Sequence, residues 1–145
     1  MTREELQGIA ERYVEVWNRR DPAAIAQYHA SDGVAESPIY ATLHGRKAIE
    51  DAYRAFFTSF PDATSEIDAL LVDLPRVSIF TTVTGTHMNE FFGMPGTNRR
   101  IEFRSARLME MDDVGLIARD RRIYDFTGIL VQVGVLRAKP AKPQG

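Results

Sequence analysis

Polar and apolar positions in the first part of the chain follow a period of three to four. Thr2 and Glu5 have the spacing of a capping box, and Leu6, Ile9, Tyr13, Val16 and Trp17 then recur on one face, which predicts a long first helix. Asp21 ahead of Pro22 reads as an N-cap with proline at the first helical position, giving a short second helix from Pro22 to Tyr28 that Asp32-Gly33 interrupts. The stretch 34–43 is broken by Pro38 and reads as an edge strand or strand-loop. After Gly45 the helical spacing returns at Ile49, Ala52, Tyr53, Phe56 and Phe60, until Pro61 ends a third helix.

From Ser65 the period changes to two. Ile67, Ala69 and Leu71 alternate with charged or partly apolar neighbours, Leu74-Pro75 makes a turn, and Val77, Ile79, Thr81 and Val83 alternate on the way back, so these residues predict a hairpin. Residues 89–99 form a loop rich in Gly and Pro. Ile101, Phe103, Met109 and Met111 mark another strand, Asp112 to Gly115 turn it, and a return strand runs to Asp125. The apolar segment 129–135 is too short to assign. Two prolines in 137–145 predict a disordered C-terminal tail behind a single domain, 1–136. Three N-terminal helices followed by strands indicate an α+β fold, with the helices packed on a curved, mostly antiparallel β-sheet. A sheet bent around helices leaves a concave, apolar pocket suited to a small molecule.

Composition narrows the function. The 145 residues include eight Phe, five Tyr and one Trp, enough for a core without disulfide or metal staples. A net charge of −2 gives no electrostatic reason for binding nucleic acid or an anionic membrane. The longest apolar run is far short of the ~18 residues of a spanning helix. An N-terminus charged on both signs lacks the pattern of a secretory signal, which sets a cytoplasmic location as the expectation. There is no cysteine, and His29, His44 and His87 lack any paired spacing, so neither a metal nor a cofactor is expected.

Several signposts occur in a fixed order between Tyr13 and Gly134: Trp17-Asn18 with Asp21, Gly45, Phe60-Pro61-Asp62, Gly85-Thr86-His87, Gly93-x-Pro95, Thr97-Asn98-Arg99, Gly115-x-Ile117, Asp125, and Gln132-Val133-Gly134. In this order and spacing the chain resembles the SnoaL-like polyketide cyclase branch of the nuclear transport factor 2-like superfamily. The resemblance implies an α+β cone, a cystatin-like roll. It also implies a general acid–base Asp ten residues after the hairpin Gly, serving an intramolecular aldol closure; ten residues after Gly115 stands Asp125. This chain departs from the pattern at Asn98, where many members have Gly, and at Arg119 and Arg121, where the last strand usually carries Glu and Trp. It also has no His after His87, although characterised cyclases use one on the preceding strand. The same fold hosts ketosteroid isomerases, and Arg12-Tyr13-Val14 is similar to their oxyanion-hole segment. Ser37 stands where their base would be, and no Asp lies in 105–107, so steroid isomerisation is not expected.

The candidate catalytic residues are Asp125, His87 and Arg107. Asp125, between Ile123-Tyr124 and Phe126, is either a carboxylate in a dry pocket or the N-cap of a helix starting near Thr127. Parity groups it with Ile117, Arg119, Arg121 and Ile123, and a bulge would change that assignment. Arg107 shares the parity of Ile101, Phe103 and Met109. On the inner face it needs a partner, for which Asp125 is the candidate; at a rim it reaches solvent or a dimer contact. His87, closing a strand before the loop, lines the pocket mouth or is structural. Tyr13, Trp17, Tyr53, Phe57, Phe92 and Met109 are the candidate ligand contacts, each with a plain core role as the alternative. Phe92 lies in a Gly-flanked apolar loop that reads as a lid or dimer contact. The function these features suggest is cofactor-free acid–base proton transfer on a small hydrophobic carbonyl compound, of cyclase, isomerase or dehydratase type. The alternative is a non-catalytic pocket for a small hydrophobic ligand. A homodimer through the outer sheet face, where Phe80 and Leu108 point, is the expected assembly.

Overall fold

In a computed structural model, residues 1–137 are described; residues 138–145 of the expected tail lie outside the described residues. Helix α1 (Arg3–Asn18) opens with the complete capping box, the Glu5 N–H donating to the Thr2 hydroxyl at 3.1 Å and the Thr2 N–H to the Glu5 carboxylate at 2.9 Å. Helix α2 (Pro22–Ala26) is capped by Asp21, which accepts from the Ala24 N–H. The segment expected to be one broken edge strand is a hairpin, β1 (His29–Ser37) and β2 (Ala41–His44), with Pro38 in its turn, where its missing N–H costs neither strand a ladder bond. Helix α3 (Arg46–Ser59) follows, and then come β3 (Thr64–Asp73), β4 (Arg76–Thr86), β5 (Arg100–Met111) and β6 (Ile117–Tyr124). The unassigned apolar segment belongs to α4 (Phe126–Gln132).

The six strands form one sheet in the order β2-β1-β6-β5-β4-β3, antiparallel except for the β1–β6 pair. β1 is therefore interior, and β2 holds the edge. Helices α1 and α3 cover the concave face and bury Leu6, Tyr13, Trp17, Ile49, Tyr53 and Phe57 against it. Among the described residues no helix is long and apolar enough to cross a membrane.

Three of the signpost motifs staple helix ends to strands. The Asn18 amide takes the Ser65 N–H at 2.7 Å and donates to the Ser65 carbonyl at 2.9 Å; the Gln132 amide does the same to Glu102 at 2.7 and 2.9 Å. Asp62 accepts from both the N–H and the hydroxyl of Thr86 at 2.7 Å. Each side chain satisfies backbone or hydroxyl groups that the end of an element leaves open, which explains why these residue types stand at these positions. Asn98 adopts φ 58°, the left-handed turn expected of it.

Two one-residue bulges decide which side chains face inward. On β3, Asp68 has no partner opposite β4, so Ile67 is followed on the inner face by Leu70 and Val72 rather than by Ala69 and Leu71; Leu71 is 61% exposed. On β6, Met111 faces Ile117 and Glu110 faces Arg119, which leaves Ala118 as the extra residue. Beyond it, Asp120, Arg122 and Tyr124 turn inward, opposite Met109, Arg107 and Ser105. The uninterrupted parity that grouped Arg119, Arg121, Ile123 and Asp125 with Ile117 is thereby corrected.

Inserting one alanine between Arg119 and Asp120, with the bulge at Ala118 kept, would expel Asp120 and Arg122 from the interior and bury Arg121 and Ile123 in their place. Urea unfolding of this variant should show a loss of more than about 4 kcal/mol or no cooperative transition, whereas Leu71→Ser should stay within about 0.5 kcal/mol of wild type.

Candidate functional site

Between the two long helices and the concave face lies a cavity of about 680 Å³, counted with its mouth. Trp17, Phe56, Val83 and Phe103 give it apolar walls, and Tyr40, from the β1–β2 turn, stands among its lining residues. Its polar side is built from α1, α3, β5 and β6, where Tyr13, Tyr53, Arg107 and Arg122 meet.

Tyr13 and Tyr53 share a short hydrogen bond between their hydroxyls. Either hydroxyl can donate, and whichever does leaves the other's hydrogen free for a ligand. The Arg107 guanidinium lies over the Tyr13 ring at 5.0 Å and that of Arg122 over the Tyr53 ring at 4.8 Å, so each cation meets an aromatic face. Behind the two arginines sits Asp120, wholly buried. Arg122 Nε donates to its Oδ2 at 3.0 Å, while Arg107 Nε stands 3.6 Å from Oδ1. Burial pushes the Asp120 carboxyl up, but the charges of Arg107 and then Arg122 outweigh it and hold the group ionised, below the ordinary carboxylate range. Burial raises the Tyr13 phenol well above its usual value, against the pull of Arg107, so it stays neutral. His29, fully buried and edge-on to Tyr13 at 6.0 Å, has no hydrogen-bond partner on either ring nitrogen. Burial, opposed by Asp120 and reinforced by Arg122, pushes it down to about 3.

The structure brings together four of the nine candidate residues named from sequence: Tyr13, Trp17, Tyr53 and Arg107 line the cavity. The expected partner of Arg107 is corrected from Asp125 to Asp120. Asp125 is exposed and caps α4, accepting from the Gly128 N–H at 2.8 Å; it borders only a shallow groove on the outer face. The β6 bulge is the reason, since it reverses the face on which the strand's later residues lie. His87 does not line the mouth. It is buried beneath the 88–99 loop, bonded to the Thr97 hydroxyl at 3.0 Å and packed on Phe60 and Phe91. Phe57 and Met109 are core behind the wall: Phe57 packs edge-on against Trp17 and stacks on Tyr53, and Met109 is fully buried. Phe92, 57% exposed, lies outside the cavity and packs on Tyr40 and Phe126. Asp120, Arg122 and His29 were missed. The run Arg119-Asp120-Arg121-Arg122 held a usable signal, because strand alternation forces two of four consecutive charges onto the covered face. Nothing in the sequence marked His29.

The family model described as SnoaL-like polyketide cyclase matches residues 7–133. No curated protein matches the chain. Among solved structures, AclR from Streptomyces galilaeus is 24% identical with a TM-score of 0.84, over 96% of this chain and 91% of that one. TsrD from Streptomyces laurentii is 22% identical with a TM-score of 0.81, over 94% and 99%. SalBIII, described as an epoxide hydrolase/cyclase-like enzyme in pyran ring formation in the polyether salinomycin, is 16% identical with a TM-score of 0.73, over 86% and 94%. At these identities the likeness is one of fold.

His29 gives the site a pH signature. Its folded value of about 3 lies below its ordinary 6.5, so the unfolded chain takes up the proton first. Stability is full above the unfolded value and drains as pH falls toward the folded one, by about 3 kcal/mol at pH 4. Asp120, also depressed, loses its contribution only below the unfolded carboxylate value, about 3.9, which separates the two windows. Urea midpoints measured from pH 7 to 4 should fall for the wild type, and His29→Leu should remove about one proton's worth of that slope.

Proposed function

Since the chain belongs to the SnoaL-like polyketide cyclase family, we propose that it is a cofactor-free enzyme of that kind, activating the oxygen of a small hydrophobic carbonyl compound for acid–base proton transfer. The observation that carries this reading is the Tyr13–Tyr53 phenol pair, flanked by guanidinium groups and set in a cavity whose remaining wall is mostly apolar. A carbonyl oxygen seated against the free phenol hydrogen gains negative charge as the neighbouring C–H loses its proton. Donors that are already in place and shielded from water stabilise that charge without having to reorganise. The burial of Tyr13 keeps its proton on the phenol, so its part is to donate a hydrogen bond. The proton from carbon passes to water or to a basic group of the substrate. Cyclisation, isomerisation and dehydration all pass through such an oxygen-centred anion or its hydrogen-bonded equivalent. In this reading Tyr13 and Tyr53 take the part first expected of Asp125 and His87.

A second reading, a pocket that binds a small hydrophobic ligand without chemistry, draws on one specific feature. Among the described residues the lining includes no Asp, Glu or His, and the buried carboxylate is committed to arginines. The outer sheet face adds a further proposal, a second copy of the chain as partner. Ala69, Phe80, Ala106 and Ile123 stand side by side across four strands, with Ile123 72% exposed, and Asp68 and Arg104 flank them with the opposite charges that a two-fold axis could pair.

Deuterium exchange at the carbon next to the carbonyl of 2-tetralone, followed by NMR in D₂O, separates the two readings. The enzyme should accelerate exchange, Tyr13→Phe should slow it by about 10²–10³-fold, and Asp125→Asn should leave it within a factor of about two. Binding of the ketone without exchange would favour the non-catalytic pocket. Light scattering should give twice the 16.4 kDa chain mass, and Ile123→Asp should return it to one.

A further inference from the structure

The charges in the cavity do not balance. Arg107 and Arg122 bring two positive charges, and Asp120 supplies one negative charge. Tyr13 and the remaining lining residues add none, nor does His29 behind them, because the phenol and the imidazole stay neutral and no carboxylate lines the space among the described residues. The two arginines share Asp120 unequally. Arg122 holds Oδ2 in a hydrogen bond at 3.0 Å, while Arg107 stands beyond hydrogen-bond length from Oδ1, which has no hydrogen-bond partner. Arg122 Nη2, buried, also has none. Arg107 is therefore the less closely held of the two cations, paired with Asp120 at 3.6 Å without a hydrogen bond, and 14% of its side-chain surface remains exposed. A guanidinium so far removed from bulk water is costly unless an anion or water completes its shell.

We propose that the natural ligand of this cavity is a monoanion, a small apolar skeleton bearing a carboxylate, with the carboxylate against Arg107 and the apolar body toward Trp17 and Phe56. This rests on the reading of the cavity as a site for a small apolar carbonyl compound and narrows it to acids. A carboxylate fits for two reasons. Its planar pair of oxygens matches the planar fork of an arginine, and its single charge equals the single excess charge of the site. A phosphate dianion would overshoot that charge inside a low-dielectric wall. A neutral ketone or ester would leave the excess positive charge of the site uncompensated.

Calorimetric titration of the full chain at pH 7 with 2-naphthoate and with methyl 2-naphthoate tests the charge while holding the skeleton fixed. The acid should bind at least about tenfold more tightly than the ester. Arg107→Gln should lower that acid-to-ester ratio toward one, and Arg107→Lys, which keeps the charge and loses the fork, should fall between. The ratio is read within each protein, so partial unfolding of a variant cancels, and the wild-type pair alone decides the matter if Arg107→Gln does not fold. Equal or tighter binding of the ester overturns the inference and leaves the carbonyl-compound reading in place. Failure of both probes to bind overturns the inference and the reading together.

Discussion

Asp120, wedged between Arg107 and Arg122 with no exposed surface, is the constraint around which the interior is arranged. Three ionised groups have been taken out of water, and their mutual attraction offsets that loss only if the geometry around them is tightly held. Much of the surrounding sequence serves this end. The β6 bulge aims Asp120 and Arg122 at the same face that Arg107 already occupies. Tyr13 and Tyr53, on separate helices, each lay a ring against one guanidinium and then bond to one another, which ties α1 to α3 directly over the charges. Removing Asp120 would leave two buried cations facing each other, so the carboxylate is better understood as the part that holds the arginines in place than as a reacting group.

The fold was largely legible because it depends on local periodicity. Capping residues, prolines and apolar spacing located α1, α2, α3 and the β3–β4 hairpin, and the parity of β5 grouped Arg107 with Ile101, Phe103 and Met109 while leaving open whether that face was covered or at a rim; in the structure it is the covered face. The site was legible only up to the bulges. A strand's side chains alternate strictly, so one inserted residue exchanges the inner and outer sets for everything that follows. The neighbours Ile123, Tyr124 and Phe126 give Asp125 the local sequence of a pocket carboxylate, but Ile123 is on the outside and the carboxylate is occupied with the start of α4. The local sequence equally allowed the capping role, and the structure shows that role. The burial of His29 arises at the junction of α2 with β1, from contacts with residues distant in the chain, and no short-range pattern encodes that.

Relatives that share the architecture at identities of 16–24% show how little sequence the cone needs to persist. In this chain several of the contacts that fix the architecture lie apart from the apolar wall of the cavity. Asn18, Asp62 and Gln132 act at the rims, clamping helix ends to strand backbones, while the cavity is furnished from mid-strand and mid-helix positions that those clamps hold at fixed distances. Wall residues such as Val83 and Phe103 can then change without loosening those clamps, whereas Tyr13, Tyr53, Arg107 and Arg122 belong both to the cavity and to the frame.

The bulge at Ala118 has an evolutionary consequence. Most changes to a binding pocket come one side chain at a time, each needing to be tolerated on its own. A gain of one residue just after the bulge would instead replace a whole row of the pocket wall in a single mutational event, trading Asp120, Arg122 and Tyr124 for the inserted residue, Arg121 and Ile123 while the strand order stays as it is. Lineages that differ by this one residue would present opposite faces of nearly the same text to their ligands. Comparing them column by column would pair side chains that never occupy the same space.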